Sequence, residues 1–273
     1  MRIRYRFAFR TDQADVTEFL KEKGISYTST SGVSVFFLFE DDACFDDVKS
    51  FFESHEIGSC LHESIFTQRE KRDAEWLCVR STWRPTYPYP TEDKGYVHFT
   101  YDTKAYCSSC GAGLMQKNSF MIQKKLHWSS RNFFMLNWIH DELFLSPKAQ
   151  NLLSDSQLTG FRFMSVFDKS GRVYPEISQL FIENTLKPGL STECIRKVLD
   201  CPKCGRTRFL LNPGGLKYAR GAFEGVEADI VKSNEQFGEI TCSRILFVSQ
   251  RMYQALTSSG LDRCLVFEPV ELV

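Results

Sequence analysis

The cysteines carry the clearest chemistry in the sequence. Cys107 and Cys110 stand in CSSCG, and Cys201 and Cys204 in CPKCG. A C-x-x-C turn sets two thiolates along one edge of a tetrahedron, and a glycine behind it can take the left-handed conformation that folds the chain back under a metal ion. Together the two knuckles supply a complete four-cysteine zinc site. The roughly 90 residues between the pairs exceed ordinary zinc-ribbon spacing, as expected if one ion staples two remote parts of the chain. Four thiolates leave no coordination position for water, so the zinc is expected to be structural, one ion per chain. Neither motif opens a helix in a thioredoxin-like setting, which argues against redox chemistry. The other cysteines, Cys44, Cys60, Cys78, Cys194, Cys242 and Cys264, lie singly on apolar stretches and read as small buried residues. Cys194 and Cys242 come nearest to alternative ligands.

No other pattern points to catalysis. His140, Asp141 and Glu142 are adjacent and do not converge on one point from a helix or a strand, so they read as a turn or helix start with capping acids. The histidines show no H-E-x-x-H or H-x-x-x-H spacing, no serine sits in a G-x-S-x-G elbow, and neither a P-loop nor a G-x-G-x-x-G is present. Asn212-Pro213-Gly214-Gly215 reads as a loop turn. The chain is not expected to be an enzyme.

The elements around these residues fall into two parts. Ile3, Tyr5, Phe7 and Phe9 alternate with Arg4, Arg6 and Ala8, the period of a half-buried strand. A helix capped by Thr11 or Asp12 follows, with Val16, Phe19 and Leu20 on one face and Gly24 as its stop. Strands are expected near 25–30 and 33–39, then a helix capped by Asp41 or Asp42 with Phe45, Val48, Phe51 and Phe52 on one side, then a strand near 60–66. The order β-α-β-β-α-β predicts a ferredoxin-like α+β domain over 1–82. Val33, Val35, Phe37 and Phe39 would face one side of its sheet and Phe36 and Leu38 the other, so the second face is expected to be covered by the rest of the chain.

Residues 83–95, WRPTYPYPTEDKG, read as a linker, because three prolines exclude helix and disfavour a central strand. Its aromatics suggest that it lies packed on a surface, with Trp83 and Trp128 as candidate interface anchors. Residues 96–273 then repeat themselves. Leu143-Phe144-Leu145-Ser146 aligns with Leu246-Phe247-Val248-Ser249, Leu153 with Leu256, Leu158 with Leu261, and, with one gap, Phe163 to Val166 with Phe267 to Val270. Each copy reads as knuckle, strands, serine-capped helix and terminal strand. The expected fold is α+β: a ferredoxin-like βαββαβ domain followed by a duplicated α+β domain, with halves about 96–190 and 191–273, joined by the four-cysteine zinc site.

Composition narrows the function. With 42% hydrophobic and 25% charged residues the chain is globular, not disordered or fibrous. Lysine plus arginine and aspartate plus glutamate are both 34, which disfavours a strongly basic nucleic-acid binder as a whole-chain reading. No apolar run approaches the about 20 residues of a membrane helix, and MRIRYRFAFR lacks the apolar core of a secretory signal. A cytoplasmic protein with reduced cysteines and no membrane partner is expected. Charge is segregated locally: Asp41, Asp42, Asp46 and Asp47 lie in an acidic run, whereas between Thr103 and His140 there are basic residues and no acids. Complementary charge steers encounter and partner choice, so those four aspartates and Lys117, Lys124, Lys125 and Arg131 are candidate partner-binding residues. A second reading makes the basic 104–131 segment a zinc-ribbon-type nucleic-acid adaptor, with Phe120, Trp128, Phe133, Phe134 and Trp138 stacking on single-stranded bases.

The two distant C-x-x-C-G motifs and the ending S-Q-R-x-Y-x-x-L, then GL, then F-E-P-V-E-L resemble the double-CxxCG immunity proteins of bacterial toxin systems. The resemblance covers roughly residues 100 to 273. Leu136-Asn137-Trp138-Ile139-His140-Asp141-Glu142-Leu143-Phe144 also is similar to a motif of uncharacterised bacterial proteins. The resemblance carries the family's knuckles onto Cys107, Cys110, Gly111 and Cys201, Cys204, Gly205. It implies a non-enzymatic protein that binds and blocks a cognate toxin.

Overall fold

Alternation of apolar and charged side chains builds the first sheet. The computed structural model describes residues 1–57, 60–124, 126–239 and 241–273. Among the described residues it is a mixed α+β protein with six α-helices, and it divides into two units, residues 1–70 with 213–215 and residues 71–212 with 216–273.

The first unit contains β1 (Arg2–Arg10), α1 (Ala14–Glu22), β2 (Thr28–Thr30), β3 (Val33–Phe39), α2 (Phe45–Ser54) and β4 (Cys60–Ile65). The strands are ordered β2-β3-β1-β4, and every neighbouring pair is antiparallel. The register places Phe7 opposite Phe36. Odd positions of β1 and even positions of β3 therefore share one face, and Phe7, Phe9, Phe36 and Leu38 bury there against Val16 and Leu20 of α1 and Phe45, Val48 and Phe52 of α2. The helices meet through the stacked rings of Phe19 and Phe51, 4.0 Å apart. Gly24 ends α1 with φ +67°, the left-handed geometry that glycine tolerates best.

Three expectations for this unit change. The helix caps are Gln13 and Cys44, neither with a side-chain cap bond, in place of Thr11 or Asp12 and Asp41 or Asp42. Asp42 instead closes the preceding turn, accepting from the Phe39 N–H at 2.8 Å, because a short carboxylate bonds local backbone as readily as a helix end. The second face of the sheet is open: Val33 is 44% and Phe37 49% exposed. Arginines of β1 partly shield it, with the Arg2 guanidinium 3.7 Å from the Phe39 ring and Arg4 4.9 Å from Phe37.

Helix α3 (Gln68–Asp73) runs across the division. The second unit continues with β5 (Trp76–Ser81), β6 (Pro88–Tyr89), α4 (Tyr96–Thr100), β7 (Tyr101–Asp102), β8 (Met115–Gln116), β9 (Met121–Ile122), β10 (Phe133–Leu136), β11 (Ile139–Leu145), α5 (Pro147–Asp155), β12 (Phe161–Asp168) and β13 (Val173–Ile182). Then come β14 (Ile195–Asp200), β15 (Thr207–Leu211), β16 (Leu216–Tyr218), β17 (Ile230–Lys232), β18 (Leu246–Ser249), α6 (Gln250–Ser258) and β19 (Leu265–Leu272).

Two sheets dominate. One has six strands in the order β10-β11-β13-β12-β9-β6, the other five in the order β17-β18-β5-β19-β16. Five strands of each correspond in order and direction: the first three neighbouring pairs are antiparallel and the fourth, β12 with β9 or β19 with β16, is parallel. Each sheet feeds a nine-residue helix whose capping serine makes the same contacts. Ser146 Oγ accepts from Ala149 N and donates to Asn132, while Ser249 Oγ accepts from Met252 N and donates to Asp229. Both helices bury apolar residues in one core, Ala149 and Leu153 beside Met252 and Leu256. In β11, Leu143 and Leu145 enter that core while Phe144 enters a second one on the opposite face, which is why apolar residues fill consecutive positions.

The domain limits shift. Trp76–Ser81, assigned from sequence to the first domain, is the central strand of the five-stranded sheet, with Val79 opposite both Leu246 and Phe267. The division after Glu70 therefore precedes the expected boundary at 82–83. The expected linker 83–95 is ordered structure: β6 pairs with β9 at the sheet edge, where proline is tolerated.

Ser146→Ala and Ser249→Ala are each expected to lower stability by about 1 kcal/mol, read by urea denaturation; a change within about 0.3 kcal/mol in both would show that the shared caps are not stabilising.

Candidate metal centre

Each knuckle sits at the tip of a two-stranded antiparallel ribbon, β7 with β8 and β14 with β15. Their backbones are alike. Gly111 N donates to Cys107 O and Gly205 N to Cys201 O, both at 2.8 Å. Cys107 N donates to Ala112 O at 2.9 Å, and Cys201 N to Arg206 O at 3.0 Å. Gly111 and Gly205 have φ of +78° and +70°, the conformation expected of the glycine behind each pair.

The ribbons bring the four sulfurs together. Sγ of Cys107 lies 3.8 Å from that of Cys201, and Sγ of Cys110 lies 3.7 Å from that of Cys204. All four lie within 4.8 Å of one another. These separations are far beyond the about 2.05 Å of a disulfide. A tetrahedral ion with metal–sulfur bonds of about 2.3 Å has edges of about 3.8 Å, so the set can hold a metal ion. Cys107, Cys110 and Cys201 are buried and Cys204 is exposed.

The local fields favour thiolates at two positions. Backbone N–H groups of Cys110 and Ser109 pull the Cys107 thiol below its ordinary range, and those of Lys203 and Cys204 bring Cys201 to about 6. Burial pushes Cys110 up to about 12. Arg206 ties the second knuckle to the first, donating to Ala105 O at 2.7 Å. Gly113 lets the chain pass there, since a Cβ on it would lie 2.0 Å from Ala105 O.

The other cysteines with described side chains stay outside the cluster. Cys194 Sγ accepts from Lys217 N at 3.0 Å. Cys242 packs beside the knuckles and donates to Gln236 at 3.2 Å. Cys78 is pushed up by burial. The Cys60 side chain lies outside the described residues.

The expected charged surfaces are only partly available. Asp41 holds Arg2, whose Nε is 3.0 Å from each carboxylate oxygen, and Asp47 pairs with Lys23. Asp42 is engaged in its turn, while Asp46 is exposed. Lys117 and Lys124 are exposed; Lys125 lies outside the described residues. The Arg131 guanidinium lies 5.1 Å from the Trp83 ring. Trp83 and Trp128 pack on each other at 5.5 Å and on Phe134, so they anchor an internal cluster. Phe120, Phe133 and Phe134 are wholly buried and offer no face to a base.

Glu142 is a larger departure from expectation. It lies in the middle of β11, 4% exposed, where Lys232 pairs with one oxygen and Gln179 donates to the other at 3.0 Å. It is not a capping acid. Burial drives its carboxyl upward against the pull of Lys232. The signal in the sequence is an acid directly before the apolar run Leu143-Phe144-Leu145 of β11, but its partners come from β13 and β17 and carry no motif. Comparisons with protein-family models and with curated proteins return no match for the chain.

Lys232→Met is expected to destabilise the protein by about 3–5 kcal/mol by leaving a buried carboxylate unpaired, and Glu142→Gln on that background to restore most of the loss. Urea denaturation of the single and double variants checks this; equal losses in both would mean that charge pairing is not what holds the site.

Proposed function

We propose that the chain is a non-enzymatic protein-binding module built around one structural zinc ion, and that it acts as an immunity protein neutralising a cognate bacterial toxin. The observation that carries the zinc reading is the closed set of four sulfurs, Cys107, Cys110, Cys201 and Cys204, spaced as tetrahedral edges. Soft thiolates suit zinc, and a full shell has no place for a reacting water. The ion then joins two ribbons and stabilises the fold.

Two further readings accompany this one. The order β2-β3-β1-β4 with two helices on one face supports a ferredoxin-like first unit. The matching strand orders, serine caps and knuckles support an internal duplication in the second. In that duplication the central strand of the second copy is β5, drawn from ahead of the first copy, so the halves interlock and are not the consecutive 96–190 and 191–273.

The protein-binding reading rests on the open sheet face of the first unit. Phe37 and Leu61, 49% and 58% exposed, flank Arg6, which has no ion pair among the described residues. An apolar patch around an unpaired cation suits a protein surface that carries apolar side chains and a carboxylate.

Elemental analysis should find about one zinc per chain, set by one four-thiolate shell. Cys204→Ser should lose it and lower the melting temperature by about 10 °C or more, given about 2–4 °C per kcal/mol at this size. Tagged protein recovered from its native cells should hold a stoichiometric partner that arrests growth when expressed alone and is silenced by co-expression of this chain. Arg6→Glu with Phe37→Ser should abolish that protection with zinc content unchanged. Metal-free stable protein would sink the zinc reading, and a partner without toxicity would sink the immunity reading.

A further inference from the structure

The second unit contains a cavity of about 520 Å³ beside the first knuckle, within the range of small-molecule sites. Its lining comes from α4, β7, β8, β11, β13, β17 and the approach to β18. β11 and the approach to β18 carry opposite charges at corresponding places, because Asp141 precedes Leu143 by the same interval as Arg244 precedes Leu246. Asp141 accepts the Arg244 backbone N–H at 3.1 Å. The Arg244 guanidinium donates to Thr185 Oγ1, also at 3.1 Å. Among the described residues neither side chain has an ion pair.

Three other features face the same space. Tyr101 lines the cavity, is 6% exposed, and its hydroxyl makes no hydrogen bond to a described residue. That hydroxyl is available to a bound polar group as donor or acceptor. Trp138 lines the cavity with φ +70°, an uncommon and strained conformation for a bulky side chain that persists only where its surroundings hold it. Its ring, on a residue 39% exposed, stacks 6.0 Å from that of Tyr96, a buried lining residue. Glu142 and Lys232 also line the cavity, and they already neutralise each other.

We propose that this cavity binds a zwitterionic molecule of amino-acid size, with its ammonium on Asp141, its carboxylate on Arg244 and its apolar side chain against Trp138 and Tyr96. A cation alone would leave Arg244 unmatched, and an anion alone would leave Asp141 unmatched. A zwitterion satisfies both without adding net charge to a partly enclosed site, where an unpaired charge is costly. The proposal does not depend on toxin neutralisation, and it predicts binding by the isolated, metal-loaded chain.

Isothermal titration of the full-length protein with L-phenylalanine and L-leucine tests it. Saturable one-site binding with Kd below about 1 mM is expected for at least one of them. For the L-phenylalanine shape, 2-phenylethylamine and 3-phenylpropanoate each lack one charge and should bind about tenfold more weakly or worse. Asp141→Asn and Arg244→Gln preserve the backbone contact and should each weaken binding by about tenfold with the melting temperature unchanged. Should either variant fail to fold, Tyr101→Phe and the two single-charge ligands decide the matter on folded protein. Absence of saturable binding by both amino acids, or equal binding of the single-charge ligands, overturns the proposal.

Discussion

Convergence of four sulfurs from two β-ribbons is the constraint on which the second unit turns. The chain between the pairs spans five strands of the six-stranded sheet, helix α5 and the start of the second ribbon. Bringing its ends together has an entropic cost that grows slowly with length, so a long closure is tolerable if the ends are well held. The structure holds them by mirrored hydrogen bonds within each knuckle, by Arg206 reaching across to Ala105, and by a glycine that lets two backbones touch. Close thiolates repel one another, and a cation at their centre turns that repulsion into attraction.

Around that point the unit is organised by interlocking. β5 enters the middle of a sheet whose other strands lie at the far end of the chain, and β13 occupies the matching place in the other sheet. Helices α5 and α6 then bury their apolar faces in one core that includes Leu77 and Val79 of β5. Leu77 and Val79 of β5 thus share one core with residues of both sheets. Four polar residues of this interior pair with one another: Gln116, Gln179, Glu142 and Lys232 form a connected chain of hydrogen bonds, which low-dielectric surroundings favour. Gln116, Glu142 and Lys232 of this network also line the cavity beside the first knuckle.

The two units present different surfaces. In the first, aromatic packing is confined to the helix side of the sheet, and arginine–aromatic contacts line the other side without closing it. In the second, Phe120, Phe133 and Phe134 of the basic segment are spent on the core, while Lys117 and Lys124 are exposed.

Local pattern was legible in the sequence wherever a residue's role depends on near neighbours. Period-two alternation marked β1, i, i+3, i+4 spacing marked α1, one-sided apolar residues marked α2, and each C-x-x-C-G declared its own turn because the sulfur pair and the left-handed glycine are encoded within five residues. The serine caps of α5 and α6 were legible for the same reason. Tertiary structure alone decided which strand β5 would join, whether Asp42 would cap a helix or close a turn, and that Glu142 would meet Lys232 and Gln179 inside the protein. Strand pairing and burial of charge depend on residues far away in the chain, and a pleated apolar strand such as WLCVRS fits many partners equally well until the rest of the sheet selects one.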